Sequence, residues 1–460
     1  MAERSASSPY EPAEVVIHPE LELDLENVET RPLIRGGQAR ARSEADLVKP
    51  RTEKRGVSLF TLVDIPLVTV IALLLAIGGM MVYSTTFDWS YQDFGSESAI
   101  FLQHARNMAI GFVFLVLMAV IDYRVWKKFA VPILLLTIGT LIAVLVFSDV
   151  RFGARRAFLN GSYQPGELAE LAVVLYMAAW LSSKSAKVST VLNGLLPFGV
   201  LLAVIGGLVM LQPDLSTAAT IFLTAGAMFF LAGANITHLF AVLGTALAGG
   251  WLVTQQLEYA APRVSSFTAG FTDLTRTTWH SQQAIIAFIN GGWTGVGLGQ
   301  GRQKFGFLPA PHTDSIFAVI GEELGVIGAM FVVCLFVVFV IRGFDVARRS
   351  RDPFGGLLAS GITLWIIIKA LLNIAVMLSL VPPTGVALPF ISFGGSSLVM
   401  VMAGAGLLIS IARVTAMREV NAAEGRNTRA ARASAHSDRS GGNGRARISG
   451  AGRGGSDPRG

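Results

Sequence analysis

The chain has 460 residues, of which 52% are hydrophobic and only 15% charged, and its mean hydropathy is +0.57. A soluble domain carries about 25% charged residues, so this composition excludes a soluble enzyme and indicates a polytopic membrane protein. The net charge of +6 and pI near 9.6 fit cytoplasmic loops and tails facing anionic lipid, and no basic stretch is interleaved with aromatics as nucleic-acid binding requires.

Residues 1–57 are rich in Glu, Arg, Pro and Ser without an apolar period, which predicts a disordered cytoplasmic tail. About ten apolar runs follow, each near the roughly 20 residues that a bilayer-spanning helix needs. They are Leu62–Ser84, Asn107–Ile121, Phe129–Phe147, Gly166–Leu181, Leu195–Leu211, Ser216–Leu231, Leu239–Gln255, Ser315–Ile341, Gly356–Leu380 and Ser396–Ile411. The first lies behind a polar leader too long for the n-region of a signal peptide, so it is expected to stay as a membrane helix. The fold class is therefore all-α, a ten-helix membrane domain over 58–415, with a disordered basic cytoplasmic tail at 416–460. The lone Cys334 lies in an apolar run, where a cysteine acts as a small core hydrophobe, and it allows no disulfide framework.

Placing both termini in the cytoplasm puts Arg124, Lys127, Lys128, Lys184, Lys187, Arg342, Arg348, Arg349 and Arg351 in cytoplasmic loops, as the positive-inside rule demands. Two outer loops break that rule. One carries Arg151, Arg155 and Arg156; the other, an extracytoplasmic loop over 257–314 between the seventh and eighth spans, carries Arg263, Arg276, Arg302 and Lys304. Cations held on that side suggest an anionic ligand, although solvated loop charges would look the same. The long loop is polar and glycine-rich yet contains Trp, Phe and Ile, so it reads as a functional segment rather than a disordered one.

Within it, Asp273 is flanked by Phe267, Phe271 and Trp279, with Arg276 three residues on. Apolar neighbours raise a carboxyl pKa and a guanidinium lowers it, so the two influences oppose. Asp273 fits a general base, and equally a loop-capping Asp. Thr313 or Asp314 is positioned to cap the eighth span. Glu322 and Glu323 fall inside that span, where an ionised group costs several kcal/mol and is a functional candidate by default. Lys369, with Asn373 one turn further on, is the candidate partner for buried carboxylates. Glu167 and Glu170 open the fourth span behind Pro165, and Asp214 stands before the sixth. The run Pro389–Phe390–Ile391–Ser392–Phe393–Gly394–Gly395–Ser396–Ser397 would let backbone N–H groups approach an anion at a helix start. No metal triad, cysteine cluster, dinucleotide fingerprint or nucleophilic serine elbow is present.

Taken together, Val82–Tyr83–Ser84, Gly153–Ala154–Arg155–Arg156, Gln164–Pro165 with Glu167, Gln212–Pro213–Asp214–Leu215, Arg263–Val264–Ser265–Ser266–Phe267, His312–Thr313–Asp314, Gly321–Glu322–Glu323 and the Pro389–Ser397 run resemble the SEDS family (shape, elongation, division and sporulation), its FtsW branch most closely and then RodA. The resemblance covers roughly 64–413. It implies a glycosyltransferase that polymerises lipid II at the outer face of the bacterial plasma membrane, working with a class B penicillin-binding protein and other divisome proteins. Asp273 aligns with the family's loop aspartate. It would take the proton from the acceptor's GlcNAc 4-hydroxyl as that oxygen attacks C1 of the donor MurNAc, inverting α to β and releasing undecaprenyl pyrophosphate. Arg155, Arg156, Arg263 and Lys304 would hold the leaving group, and His312, Ser396 and Ser397 would contact substrate. No cofactor is required by any motif, and a divalent cation, Mg or Mn, is compatible. Two departures form a pair: Glu170 where the family commonly has Lys, and Lys369 where it commonly has Gln, which predicts a charge exchange across the central cavity. A RodA-like elongation polymerase, a lipid II flippase and a divisome scaffold are the alternative readings.

Overall fold

Asp64 starts the first membrane helix: its carboxylate accepts the Leu67 amide at 3.2 Å, and Pro66 sits in the first turn, where a missing N–H costs nothing. In the computed structural model the helices are α1 (Ile65–Phe94), α2 (Ala99–Val120), α3 (Tyr123–Phe147), α4 (Pro165–Leu181), α5 (Leu196–Leu211, after a π turn at Val191–Leu195), α6 (Leu215–Leu231), α7 (Ala261–Gly270), α8 (Trp279–Gly291), α9 (Ile316–Arg349), α10 (Pro353–Met377) and α11 (Ser396–Gly441). The structure describes residues 63–147, 157–158, 163–183, 188, 190–238, 240–242, 244, 261–270 and 277–441, with backbone only at 261–264, 270 and 431–441. Among them the only β pairing is a bridge between Phe158 and Tyr163.

The class is all-α and multi-pass. Seven helices among the described residues are long and apolar enough to cross a bilayer. Helices α4 and α6, 17 residues each, reach roughly 25 Å, the short end of a spanning helix. Most of the expected run Leu239–Gln255, like the tail at 1–57, lies outside the described residues.

Two expectations change. The segment 257–314, read as loop, contains α7 and α8. Thr278 caps α8 by accepting the Ser281 amide, and the helix packs on α9 through Ser281, Gln283, Ala284 and Ala287. Polar residues on the buried face hide its apolar period. At the other end, the α11 backbone continues as helix beyond 416, with mostly exposed side chains over 417–430. The Ala, Arg and Glu content that reads as disorder by composition is also strongly helix-forming. Cys334 lies on the exposed side of α9 rather than in the core.

Helix α10 is central, packing on α4, α6 and α9 and burying Trp365, Lys369 and Asn373. Helix α2 lies along α11 so closely that a Cβ on Gly406 would fall 2.3 Å from the Leu115 carbonyl oxygen, the small-residue packing typical of membrane helices. Near Asp64, Arg342 of α9 reaches its carboxylate at 2.5 Å and ties the two helices together.

The apolar run of the eighth span concealed a discontinuity. Helix α9 is broken at Gly325 (φ 70°, ψ −172°). The chain after α8 fills the break: Val296 and Gly297 donate to the Glu322 and Glu323 carbonyls, both at 3.0 Å, while Val326 and Ile327 donate to Gly292 (2.9 Å) and Trp293 (3.1 Å). Backbone groups freed within a membrane must find protein partners, and this inserted segment supplies them. Gly295 permits the approach, with φ 81° and a Cβ position only 2.2 Å from the Glu323 carbonyl.

Candidate active site

Glu322 and Glu323 lie in the last turn before the break, at the negative end of a half-helix, where a carboxylate is doubly disfavoured. The chain that follows the inserted segment satisfies both. Glu322 accepts the amides of Arg302 (3.0 Å) and Gln303 (3.2 Å). Glu323 meets Lys304 Nζ at 2.7 Å, the Ser84 hydroxyl at 2.7 Å and the Gly299 amide at 3.0 Å. The Lys304 ammonium also donates to Ser84 Oγ (3.0 Å) and the Gly299 carbonyl (2.9 Å). Its three hydrogens are therefore committed, and in this geometry none is left for a leaving group. Both side chains are almost wholly buried.

A second buried charge cluster joins α4 to α10. Lys369 Nζ lies 2.6 Å from both Glu167 Oε2 and Glu170 Oε2, and Trp365 Nε1 donates to Glu170 at 2.8 Å. The expected exchange pair is within bridging reach. Lys369 serves these carboxylates rather than Glu322 or Glu323, which Lys304 and backbone amides already satisfy. One turn on, Asn373 donates to the Asp314 and Val386 carbonyls, both at 2.7 Å, holding the entry to α9 against the 378–395 connection.

Above these clusters lie two cavities that share Thr313. The smaller, about 350 Å³, lies where α4, α6, α9 and α11 begin and is lined by Glu167, Asp214, Asp314, Gly394, Ser396 and Ser397. Its carboxylates stand at helix N-termini, where the dipole favours them. Asp214 caps α6 by accepting the Thr217 amide at 3.1 Å, and Ser396 accepts the Gln164 amide at 3.1 Å. Asp314 does not cap α9; Ser315 takes that position, with its hydroxyl donated to the Pro309 carbonyl at 2.6 Å. His280 Nε2 lies 2.8 Å from the same hydroxyl, which makes His280 an Nε2–H donor there.

The larger cavity, about 750 Å³, is lined by Ser84, Phe87, Trp89, Gln92, Lys304 and His312 among others. His312 packs between Trp89 (centroids 4.9 Å apart) and Phe393 (5.4 Å). Burial pushes its pKa down to about 4, so the ring is neutral at physiological pH, and Nδ1 has no hydrogen-bond partner among the described residues. Also among those residues, no three His, Cys, Asp or Glu side chains are placed to hold a metal ion.

Of the sequence-derived site, the structure brings Lys304 together with Glu323, Glu170 with Lys369, and His312, Ser396 and Ser397 around the cavities, while Asn373 bonds the Asp314 and Val386 carbonyls. Asp273, Arg155 and Arg156 lie outside the described residues, as does the side chain of Arg263. Sequence reasoning passed over Trp89 and Phe87, placed beyond the predicted end of the first span; the absence of any glycine or proline between Ser84 and the helix stop at Gly95 was the signal that could have found them.

The model of the FtsW/RodA/SpoVE family, cell cycle proteins, matches residues 65–417. A relative from Geobacter metallireducens, named probable peptidoglycan glycosyltransferase FtsW, is 36% identical over 353 residues, covering 76% of this chain and 94% of its own. Among solved structures, the rod shape determining protein RodA of Thermus thermophilus aligns with a TM-score of 0.57 at 23% identity, covering 76% of this chain and 97% of its own. A peptidoglycan synthase complex that coordinates polymerization and crosslinking contains a chain aligning with a TM-score of 0.62 at 24% identity, covering 77% and 98%.

Proposed function

The chain belongs to the FtsW/RodA/SpoVE family of cell cycle proteins, and on that premise we propose that it is a peptidoglycan glycosyltransferase that polymerises lipid II at the outer face of the plasma membrane during division. The observation that carries this reading is the seating of the larger cavity. Ser84, on its floor, stands about 29 Å along α1 from Ile65, and Trp89 about 36 Å, at the usual rise of ~1.5 Å per residue. The hydrocarbon core is about 30 Å thick, so the cavity opens at headgroup depth, where a lipid-linked sugar presents its reacting atoms. The opposite end of the bundle carries Arg124, Lys127, Arg342, Arg348 and Arg349, which supports a cytoplasmic placement there.

In this reading Asp273 is the general base. It removes the proton from the acceptor's GlcNAc 4-hydroxyl; that oxygen attacks C1 of the donor MurNAc from the face opposite the diphosphate, and undecaprenyl pyrophosphate departs with the bonding pair. Trp279, six residues beyond Asp273, donates its indole N–H to the Phe307 carbonyl at 2.8 Å. Six residues span at most about 20 Å, which supports Asp273 reaching the cavity whose lining includes neighbouring Gly306. Arg155, Arg156 and Arg263 supply the charge for the leaving diphosphate, while Lys304 secures the cavity floor. The FtsW-named relative supports a division role, and the solved synthase complex supports a cross-linking partner of the class B penicillin-binding type.

The test is glycan-strand formation from lipid II by the purified chain with its partner. Wild type is expected to polymerise and Asp273→Asn to produce no strands. Polymerisation by Asp273→Asn at the wild-type rate sinks the general-base assignment. A wild type that only moves lipid II between leaflets replaces polymerase with transporter.

A further inference from the structure

The larger cavity differs from its neighbour in the chemistry of its walls. The smaller one is lined by carboxylates and backbone at helix starts. The larger one has aromatic walls, Phe87, Trp89 and Phe305, and the one cation among its described lining residues, Lys304, is cancelled by Glu323. Its other polar side chains are the hydroxyls of Ser84, Thr85 and Thr313, each donated to a protein oxygen, the Asp88 and Gln92 pair, bonded to each other at 2.8 Å, and His312. Among the described residues the site offers no free positive charge, which does not suit a diphosphate. Aromatic faces flanked by a few hydrogen-bonding groups suit a pyranose, whose axial C–H bonds pack on a π face while its hydroxyl and N-acetyl groups seek polar partners.

Two details strengthen the match. Trp89 is 46% exposed, so its indole has face left uncovered by His312, whereas His312 is 8% exposed. The His312 Nδ1 is buried without a partner among the described residues. An unpartnered buried ring nitrogen is costly unless something completes it. A neutral imidazole can accept from a hydroxyl or donate to an acetamide carbonyl, according to its tautomer.

The geometry points to a saccharide subsite: a sugar ring of the lipid-linked substrate stacks on Trp89, and one of its hydroxyl or N-acetyl groups completes His312 Nδ1. This assignment rests on the polymerase reading and divides the work of the site. Carbohydrate is held here, and the diphosphate is held elsewhere by arginines. Trp89 and His312 thus act in substrate binding rather than proton transfer.

The probe is the soluble GlcNAc–MurNAc disaccharide, which carries neither lipid nor diphosphate, with saturation-transfer NMR on the full chain in nanodiscs. Sugar-ring signals are expected in wild type, lost in Trp89→Ala, weakened in His312→Phe, and partly kept in Trp89→Phe, which preserves a ring and guards against misfolding. Inorganic pyrophosphate should not displace the disaccharide. In polymerisation assays Trp89→Ala should raise KM for lipid II by about tenfold while changing kcat by no more than about twofold. Signals that survive Trp89→Ala, or that pyrophosphate abolishes, overturn the subsite; a tryptophan that merely anchors in the lipid interface would give the first result. Disaccharide binding by a wild type that forms no strands would sink the polymerase reading while leaving the saccharide site standing. Strand formation with an unchanged KM in Trp89→Ala would do the reverse.

Discussion

Lys369 Nζ sits 2.6 Å from Glu170 Oε2, joining two helices across 199 positions of sequence in a place almost closed to solvent. Glu167 shares the ammonium at the same distance. Removing one member of a buried ion pair costs roughly 3–5 kcal/mol because the other is left uncompensated. Lys369→Met should therefore lower the thermal midpoint in detergent sharply. Glu170→Gln should cost much less, since Glu167 keeps the pair and the amide oxygen can still accept from Trp365. The exchange Glu170→Lys with Lys369→Gln moves the cation to α4, still facing Glu167, and should recover most of the loss. Strictly additive losses in that double variant would contradict the coupling.

Lys304 allows a clean separation of two roles. As part of the floor, Lys304→Met should destabilise by roughly 3–5 kcal/mol, and adding Glu323→Met should restore much of it, because no unpaired charge then remains. Melting curves of the two variants decide the matter. A cation serving only the leaving group would reduce turnover and leave the melting midpoint where it is.

The repair of the broken helix can be tested with two glycines of the inserted chain, Gly295 and Gly299. Gly299 has φ 78° with open space around its missing side chain, so Gly299→Ala should cost only about 1–2 kcal/mol of backbone strain. Gly295 has a similar φ, 81°, but its Cβ would overlap the Glu323 carbonyl. Gly295→Ala should exceed about 4 kcal/mol and prevent recovery of folded protein from membranes. Equal yields and equal midpoints for the two would show that the 292–297 segment does not occupy the break.

His312 sets a pH dependence outside the membrane-spanning segments. Its folded pKa, about 4, lies below the ordinary 6.5, so the unfolded chain binds the proton more readily. The stability its neutral ring confers is complete above pH 6.5 and is lost as pH falls toward 4, by at most about 3 kcal/mol. His312→Gln should flatten the melting profile over that window. A profile identical to wild type would mean that the ring is not buried in the neutral form.

Hydropathy alone was enough to find α1 to α6 and α9 to α11, because apolar length is a property of neighbouring residues. The Glu170–Lys369 pair was legible only through the family resemblance, as two departures from its common residues; charge alone left Lys369 a candidate partner for any buried carboxylate, Glu322 and Glu323 included. Helix α8 was not, since Ser281 and Gln283 face inward and obscure its period.

What the chain's own order of residues determined is therefore the membrane class, the positions of most spans and the presence of buried charges needing partners. Which partner each charge meets was decided only in three dimensions. Lys304 belongs to Glu323, and not to a substrate anion in this geometry, because a segment from outside α9 enters its break and carries the ammonium in with it. Likewise Trp89 meets His312 only because α1 outlasts the bilayer and the chain before α9 folds back onto it. Such contacts depend on the register between distant helices, and local hydropathy contains no term for that register.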